Sequence, residues 1–269
     1  MEEAPRMTHD RNRRTDMTAP MDLAGRTAIV TGSAKRIGRT IAMTLSAAGA
    51  NVVINARSSV DATEATVQAI RDAGGRAVGC VADVTREQDA ERIVRTALDA
   101  FGGVDILVNN AGIRQHDRLA DISLAKWREV TSVILDGSFL CSRAAAPHLA
   151  KGGSGRIVNI GGTSAHRGAR DRLHVMTAKA GLVGLTRGLA LELAPLVTAN
   201  CVVPGLIQDE EDGPEVVAAR LKRMPTDAVP LQRTGRPQDV ADLILHLCSD
   251  RGGYITGQTI HVNGGVFLC

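Results

Sequence analysis

Three groups of residues in this chain have the types and spacing to do chemistry. The first is "TGSAKRIGRT", beginning at Thr31, where Gly32 ends an apolar run and Gly38 opens a segment of helical period. A glycine there permits a tight turn, and the free N–H groups and positive dipole of a helix start attract a pyrophosphate. Gly32, Ser33, Lys35, Arg36, Ile37 and Gly38 are therefore candidate dinucleotide contacts, although such turns also use glycine for structural reasons alone. The second group closes "NVVINARSS", about 20 residues on, where a protein that binds NAD keeps an acid for the ribose hydroxyls. Ala56 stands there instead and leaves room for a 2′-phosphate that an acid would repel. Arg57 and Ser58 beside it, with Lys35 and Arg36, can supply charge-assisted contacts to that phosphate, so NADP(H) is expected over NAD. The plainer alternative is that these cations only solvate two surface loops. The third group is "HVMTAKAGLVGL", in which Lys179 lies one helical turn after Val175.

The elements that must position these groups show as an alternation. From Arg26 onward short β-branched runs alternate with longer segments of helical period, the pattern of βα units around a parallel sheet. The strand candidates are "TAIV", "NVVIN", "RAVGCV", "DILVN", "RIVNI", "ANCVV" and "QTIHV", and helices are expected to begin near Ile37, Asp61, Arg86, Leu124, Arg172 and Pro237. This implies an α/β fold over residues 23–269, a single-domain Rossmann arrangement whose doubly wound seven-stranded parallel sheet has helices on both faces. Its ligand crevice lies at the carboxyl ends of the strands. Residues 1–22 mix both charges with Pro and Thr and lack the apolar core of a signal peptide, so a mobile tail is expected there.

Composition narrows the partners. With 44% hydrophobic residues and 28 glycines, the 269-residue chain can bury one large core. Its five cysteines are scattered, without CxxC or Cys/His clusters, which argues against a disulfide framework or a metal site and fits a reducing, cytoplasmic compartment. The net charge of +3 is spread along the chain, and no apolar run reaches membrane-spanning length. Neither nucleic acid nor a membrane is an expected partner.

Six motifs in order now carry a resemblance: "TGSAKRIG", "ADVT" at Ala82, "NNAG" at Asn109, "TAKAGLVGLTRGLALEL" at Thr177, "PGLI" at Pro204 and "GYITGQTIHVNGG" at Gly253. From about Leu23 to Gly265 the chain resembles a short-chain dehydrogenase/reductase of the ketoacyl-reductase type. Arg36 stands where most members have the middle glycine of the first loop, a variant shared with pteridine reductases. The resemblance implies that Asp83 and Val84 hold the adenine, that Asn110, Ala111 and Gly112 back the ribose, and that Pro204, Gly205 and Ile207 flank the nicotinamide.

The resemblance also implies a reaction. Delivering hydride to a carbonyl carbon leaves charge on oxygen, which needs donors and a proton source within about 3 Å. The family uses a tyrosine as acid, a lysine that lowers its pKa and grips the ribose, a serine that donates to the oxygen, and an asparagine that holds a relay water. Here the lysine is Lys179, but the tyrosine position is Val175, the serine position Gly162 and the asparagine position Ile134. Asp209 also replaces the family's threonine near the nicotinamide amide. The only tyrosine, Tyr254, belongs to "GYITGQ", which in the family supports sheet and subunit packing. Losing a general acid costs roughly 10² to 10⁴ in rate, so ordinary ketoreductase turnover is not expected. His174 and Ser164 are candidate substitutes for the missing donors, with Thr163 beside Ser164, while Asp136 is read as solvated.

Two charged stretches border the expected crevice, "HRGARDR" from His166 to Arg172 and "DEED" from Asp209 to Asp212. They read either as a lid closed by ion pairs or as a mouth where Arg167, Arg170 or Arg172 orients an anionic substrate. The helix after Arg172 is apolar around most of its circumference, and with the resemblance this implies a homodimer or homotetramer. The expected function is an NADP(H)-dependent oxidoreductase acting on a small carbonyl- or imine-type substrate through a non-standard site. The alternative is a catalytically silent NADP(H)-binding module that serves as a redox-responsive partner or scaffold.

Overall fold

The computed structural model describes residues 22–209, 212–223 and 225–268. Most of the N-terminal segment read as a tail lies outside the described residues. The seven strands are β1 (Thr27–Val30), β2 (Asn51–Ala56), β3 (Arg76–Val81), β4 (Ile106–Asn109), β5 (Gly155–Ile160), β6 (Val197–Pro204) and β7 (Thr259–Val262). They form one sheet in the order β3-β2-β1-β4-β5-β6-β7, and every pairing is parallel. The order reverses between β1 and β4, and a ligand crevice opens at such a switch point.

Alternation within each strand decides which helix it meets. Ala28, Val30, Val52, Ile54, Ile106 and Val108 face one side, where they pack on α1 (Arg36–Ala47), α2 (Val60–Asp72) and α9 (Pro237–Cys248). Ile29, Val53, Leu107 and Ile157 face the other, against α3 (Glu87–Phe101), α5 (Gly137–Leu149) and α7 (Leu173–Glu192). With both faces covered, the central strands are largely apolar, and polar residues they carry such as Asn55, Asn109 and Asn159 are themselves buried.

Three elements depart from simple alternation. The helix expected near Leu124 is α4 (Leu124–Thr131), a π-helical turn over Ser132–Asp136, and then α5. Two further helices, α6 (Ser164–Arg167) and α8 (Pro214–Arg223), were not expected. One turn of helix carries no period, which accounts for α6. Pro214 at the first position and Glu215 in the first turn are start signals that do mark α8. No helix among the described residues is long and apolar enough to cross a membrane.

Candidate active site

The first loop is built so that only backbone can approach. Gly32 has φ +61°, and a Cβ there would stand 2.9 Å from Ala111 Cα. A Cβ on Gly38 would stand 2.4 Å from the Gly32 carbonyl oxygen and 2.5 Å from Asn110 Nδ2. Asn110 secures this closeness by donating to the Thr31 and Gly32 carbonyls at 3.0 and 2.9 Å, so its amide holds the loop. Ser33 is also structural. Its buried hydroxyl donates to the Val30 carbonyl at 2.6 Å and accepts from Asn55 N–H, turned away from the crevice. Arg36 holds the left-handed φ of +55° that the usual glycine would adopt freely, and its guanidinium lies 3.4 Å from Asp212. Lys35, Arg57 and Ser58 are exposed, and Ala56 is buried beneath them. Asp83 accepts from both the Thr85 N–H and hydroxyl, fixing the turn in which Val84 is buried.

Lys179 sits on α7, and its ammonium donates to the Ile160 carbonyl at the end of β5. The side chain is half-buried but the ammonium is enclosed, and this desolvation pushes its pKa down to about 8. Arg114 and Arg172 lower it further, while Cys201 opposes them. The three substituted positions converge on this lysine. A Cβ on Gly162 would lie 3.7 Å from Lys179 Cγ, and one on Gly112 would lie 3.7 Å from both Lys179 Nζ and Ile134 Cγ1. Ile134 and Val175 are buried in one apolar cluster with Val130, Ala178 and Leu182, packed against Ile113 and Leu135. At these positions the protein has a buried apolar wall and a glycine.

The proposed substitutes fare differently. His174 is completely buried, its Nε2 lies 3.2 Å from Asp117 Oδ2, and its Nδ1 is sealed without a partner. Asp117 also accepts from Lys126 Nζ, and its N–H donates to the Asp171 carbonyl, so His174 anchors the loop after β4 to the start of α7. This corrects the expectation that His174 replaces the proton donor, because neither ring nitrogen is presented to the crevice. Thr163 is spent on the Pro204 carbonyl at 2.8 Å, and Ser164 is the half-buried first residue of α6. Asp136 is exposed, as is the lone Tyr254, which lies in the loop before β7.

Asp212 pairs with Arg36 of the first loop, whereas Glu210 and Glu211 lie outside the described residues. His166, from the basic stretch, packs edge-on to His261 with ring centroids 4.6 Å apart, and Phe267 joins them. Gly205 approaches β7 closely, since a Cβ there would stand 2.6 Å from Asn263 Cα, and Ile207 is buried and bridges to Gly235. Beyond Ile207 a cavity of about 850 Å³ opens, walled by Leu206, Val229, Ile260, His261, Val262 and Phe267. It lies on the β7 side, apart from the glycine loop and Lys179.

One set of positioning residues was missed in the sequence. Asn109 Nδ2 donates to Ser142 Oγ and Asn159 Oδ1, Asn159 Nδ2 donates to Thr186 Oγ1, and that hydroxyl donates to the Leu182 carbonyl. The chain of bonds fixes α5 and α7 to the ends of β4 and β5, two helical turns beyond Lys179. A polar residue near the end of both "DILVN" and "RIVNI" was the signal that could have found it.

Residues 32–267 match the family model described as enoyl-(acyl carrier protein) reductase. The chain is 39% identical over 246 residues to the 3-oxoacyl-[acyl-carrier-protein] reductase FabG of Aquifex aeolicus, covering 91% of this chain and 98% of that protein. It is 39% identical over 251 residues to the (2S)-[(R)-hydroxy(phenyl)methyl]succinyl-CoA dehydrogenase subunit BbsD of Thauera aromatica, with the same coverage. A solved short-chain dehydrogenase/reductase of Brucella melitensis, described as glucose/ribitol dehydrogenase, superposes with a TM-score of 0.82 at 35% identity, over 91% of this chain and 98% of that one. With these relatives, a parallel sheet of order 3-2-1-4-5-6-7 and the glycine loop at its switch point, the chain belongs to the short-chain dehydrogenase/reductase family of oxidoreductases, among its ketoacyl-reductase-like members.

Proposed function

We propose that this protein is an NADP(H)-dependent oxidoreductase that reduces or forms a small carbonyl- or imine-type group through an active site built around Lys179. The observation that carries the reading is convergence. The side-chain-free cradle of Gly32 and Gly38 and the enclosed ammonium of Lys179 open on the same crevice at the carboxyl ends of β1, β4 and β5. The loop suits a pyrophosphate, because Gly32 and Gly38 permit the tight turn against Ala111 and Asn110 that brings the free N–H groups at the start of α1 to the crevice. When bound, the dihydronicotinamide supplies the hydride. Lys179 would hold the ribose, Pro204 and Gly205 would border the ring, and the buried wall of Ile134 and Val175 would exclude water from the reacting atoms. Exposed Lys35, Arg57 and Ser58 above buried Ala56 favour the 2′-phosphate, since no acid at that place repels it.

Two measurements test this. Calorimetry is expected to show NADPH binding more tightly than NADH and Arg57→Ala removing most of the difference; equal affinities in the unmodified protein would sink the cofactor assignment. A screen of NADPH oxidation against activated ketones, imines and enones then tests the oxidoreductase reading. Tight NADPH binding with no turnover of any of them would favour the silent binding module instead. The four buried, unpaired thiols Cys80, Cys141, Cys201 and Cys248 support a reducing compartment.

A further inference from the structure

The replacement of Tyr, Ser and Asn by Val175, Gly162 and Ile134 removes three polar groups from the site, and in doing so changes the one that stays. A lysine beside a phenol, a hydroxyl and an amide has polar neighbours. Here its neighbours are two open glycines, the Ile160 carbonyl, and an apolar cluster whose Ile134 and Val175 are closed to solvent. Among the described side chains around the substituted positions, Lys179 Nζ is the readiest acid: His174 is turned to Asp117, Thr163 to Pro204, Ser164 offers only an alcohol, burial pushes the Cys201 thiol up to about 11, and Tyr254 stands exposed in the loop before β7.

Resting on the oxidoreductase reading above, we propose that Lys179 is itself the proton donor of this active site, giving an ammonium proton directly to the substrate oxygen or nitrogen. In the reductive direction an N–H bond of Lys179 breaks and an O–H bond forms on the former carbonyl oxygen. The carbon receives its hydride from NADPH, which becomes NADP⁺, and the neutral amine regains a proton from solvent. The environment fits this role. Burial in the apolar wall brings the ammonium to a pKa of about 8, where an acid is still protonated at neutral pH yet releases its proton readily. Arg114 on the loop after β4 and Arg172 at the start of α7 push the same way, and the Cys201 thiol on β6 opposes them. A Cβ at Gly112 would stand 3.7 Å from Lys179 Nζ, whereas one at Gly162 meets the Cγ of its stem, so the bare backbone of Gly112 marks the side on which a substrate oxygen comes within reach of the ammonium.

The test combines turnover with a direct titration. The chain has only five lysines (Lys35, Lys126, Lys151, Lys179 and Lys222), so the side-chain carbon and nitrogen NMR signals of each can be followed against pH, with Lys179→Arg assigning the signal of interest. The expected result is one lysine with a midpoint near 8 and a kcat for NADPH-dependent reduction of 9,10-phenanthrenequinone that falls roughly tenfold per pH unit above that midpoint. Lys179→Arg keeps the cation, so NADPH affinity changes by only a few fold, while kcat drops on the order of 10²-fold or more and the alkaline limb disappears. A Lys179 midpoint near the ordinary 10.5, a pH-independent kcat, or a Lys179→Arg variant within roughly threefold of the original kcat would each overturn the proposal. If phenanthrenequinone is reduced but kcat ignores the arginine substitution, the donor is another group and the oxidoreductase reading stands. Should the titration come out as expected while no probe is reduced at any pH, both the reading and the donor role fall together.

Discussion

A lysine held in a dry wall has a thermodynamic signature apart from catalysis. The ammonium of Lys179 is harder to form in the folded state than in the unfolded chain, where the value returns to 10.5. Between the two values the unfolded state binds more protons, so this residue's penalty is full below about 8 and fades as pH rises toward 10.5. Lys179→Met therefore raises the melting temperature at neutral pH, by a free energy of up to about 3 kcal/mol, and the gain shrinks in alkaline buffer. Thermal scans of both proteins across that range check the sign. The substituted positions make a second, opposite test. Gly162→Ser meets only ordinary contact with Lys179 Cγ at 3.7 Å, but Val175→Tyr must enlarge a buried apolar cluster and costs on the order of 1–3 kcal/mol. The pair together is expected to lower the melting temperature yet raise NADPH-dependent ketone reduction more than the single changes multiply to, because a phenol and a hydroxyl serve one transition state. Single-variant rates that multiply to the double-variant rate would show that no shared transition state is being completed.

At the level of elements, the first loop and the loop after β6 are joined by Arg36 and Asp212, two groups from opposite ends of the crevice. Arg36→Gly relieves a left-handed backbone worth roughly 1–2 kcal/mol and loses a half-exposed ion pair worth up to about 1 kcal/mol. The melting temperature is thus expected to hold or rise slightly. NADPH affinity should nevertheless fall while NADH affinity changes little, as calorimetry can show; equal losses for both would place Arg36 on the pyrophosphate instead of the 2′-phosphate. Such assignments were partly legible beforehand. "TAIV" and "RAVGCV" are strands to the residue, and the other five differ by at most two residues at either end, because short apolar runs rich in valine and isoleucine leave little ambiguity, even at the partly exposed edge strand β3. The first loop was legible in its glycines and cations, while Val175, Gly162 and Ile134 were singled out beside Lys179 by the family resemblance and not by spacing. What spacing does not carry is direction. That Ser33 turns inward, that His174 faces Asp117, and that Arg36 meets Asp212 all depend on contacts far apart in sequence. The π-helical turn at Ser132–Asp136 was invisible for a related reason: it depends on Gly137 donating back to Ser132 and Ser138 to Ile134, and on Gly137 sitting where a Cβ would stand 2.8 Å from Val84 Cγ2.

At the scale of the whole molecule, the described residues leave several large apolar side chains in water. Leu191 at the end of α7 is 83% exposed and Tyr254 is fully exposed, while β7 lies at the edge of the sheet with one side unpaired. We therefore expect light scattering at micromolar concentration to give two or four times the mass of the 28.3 kDa chain, and a clean monomer would refute the assembly. The same scarcity of aromatics that singles out Tyr254 gives the molecule a built-in optical label. Its one tryptophan, Trp127, is half-buried on α4, and α4 packs against α7, the helix that carries Lys179. Tryptophan emits where a dihydronicotinamide absorbs, so excitation of that single indole will dim as NADPH fills the crevice and recover as it leaves. Because only the reduced nicotinamide absorbs there, recovery of the signal would also report its oxidation, without a dye or a mutation.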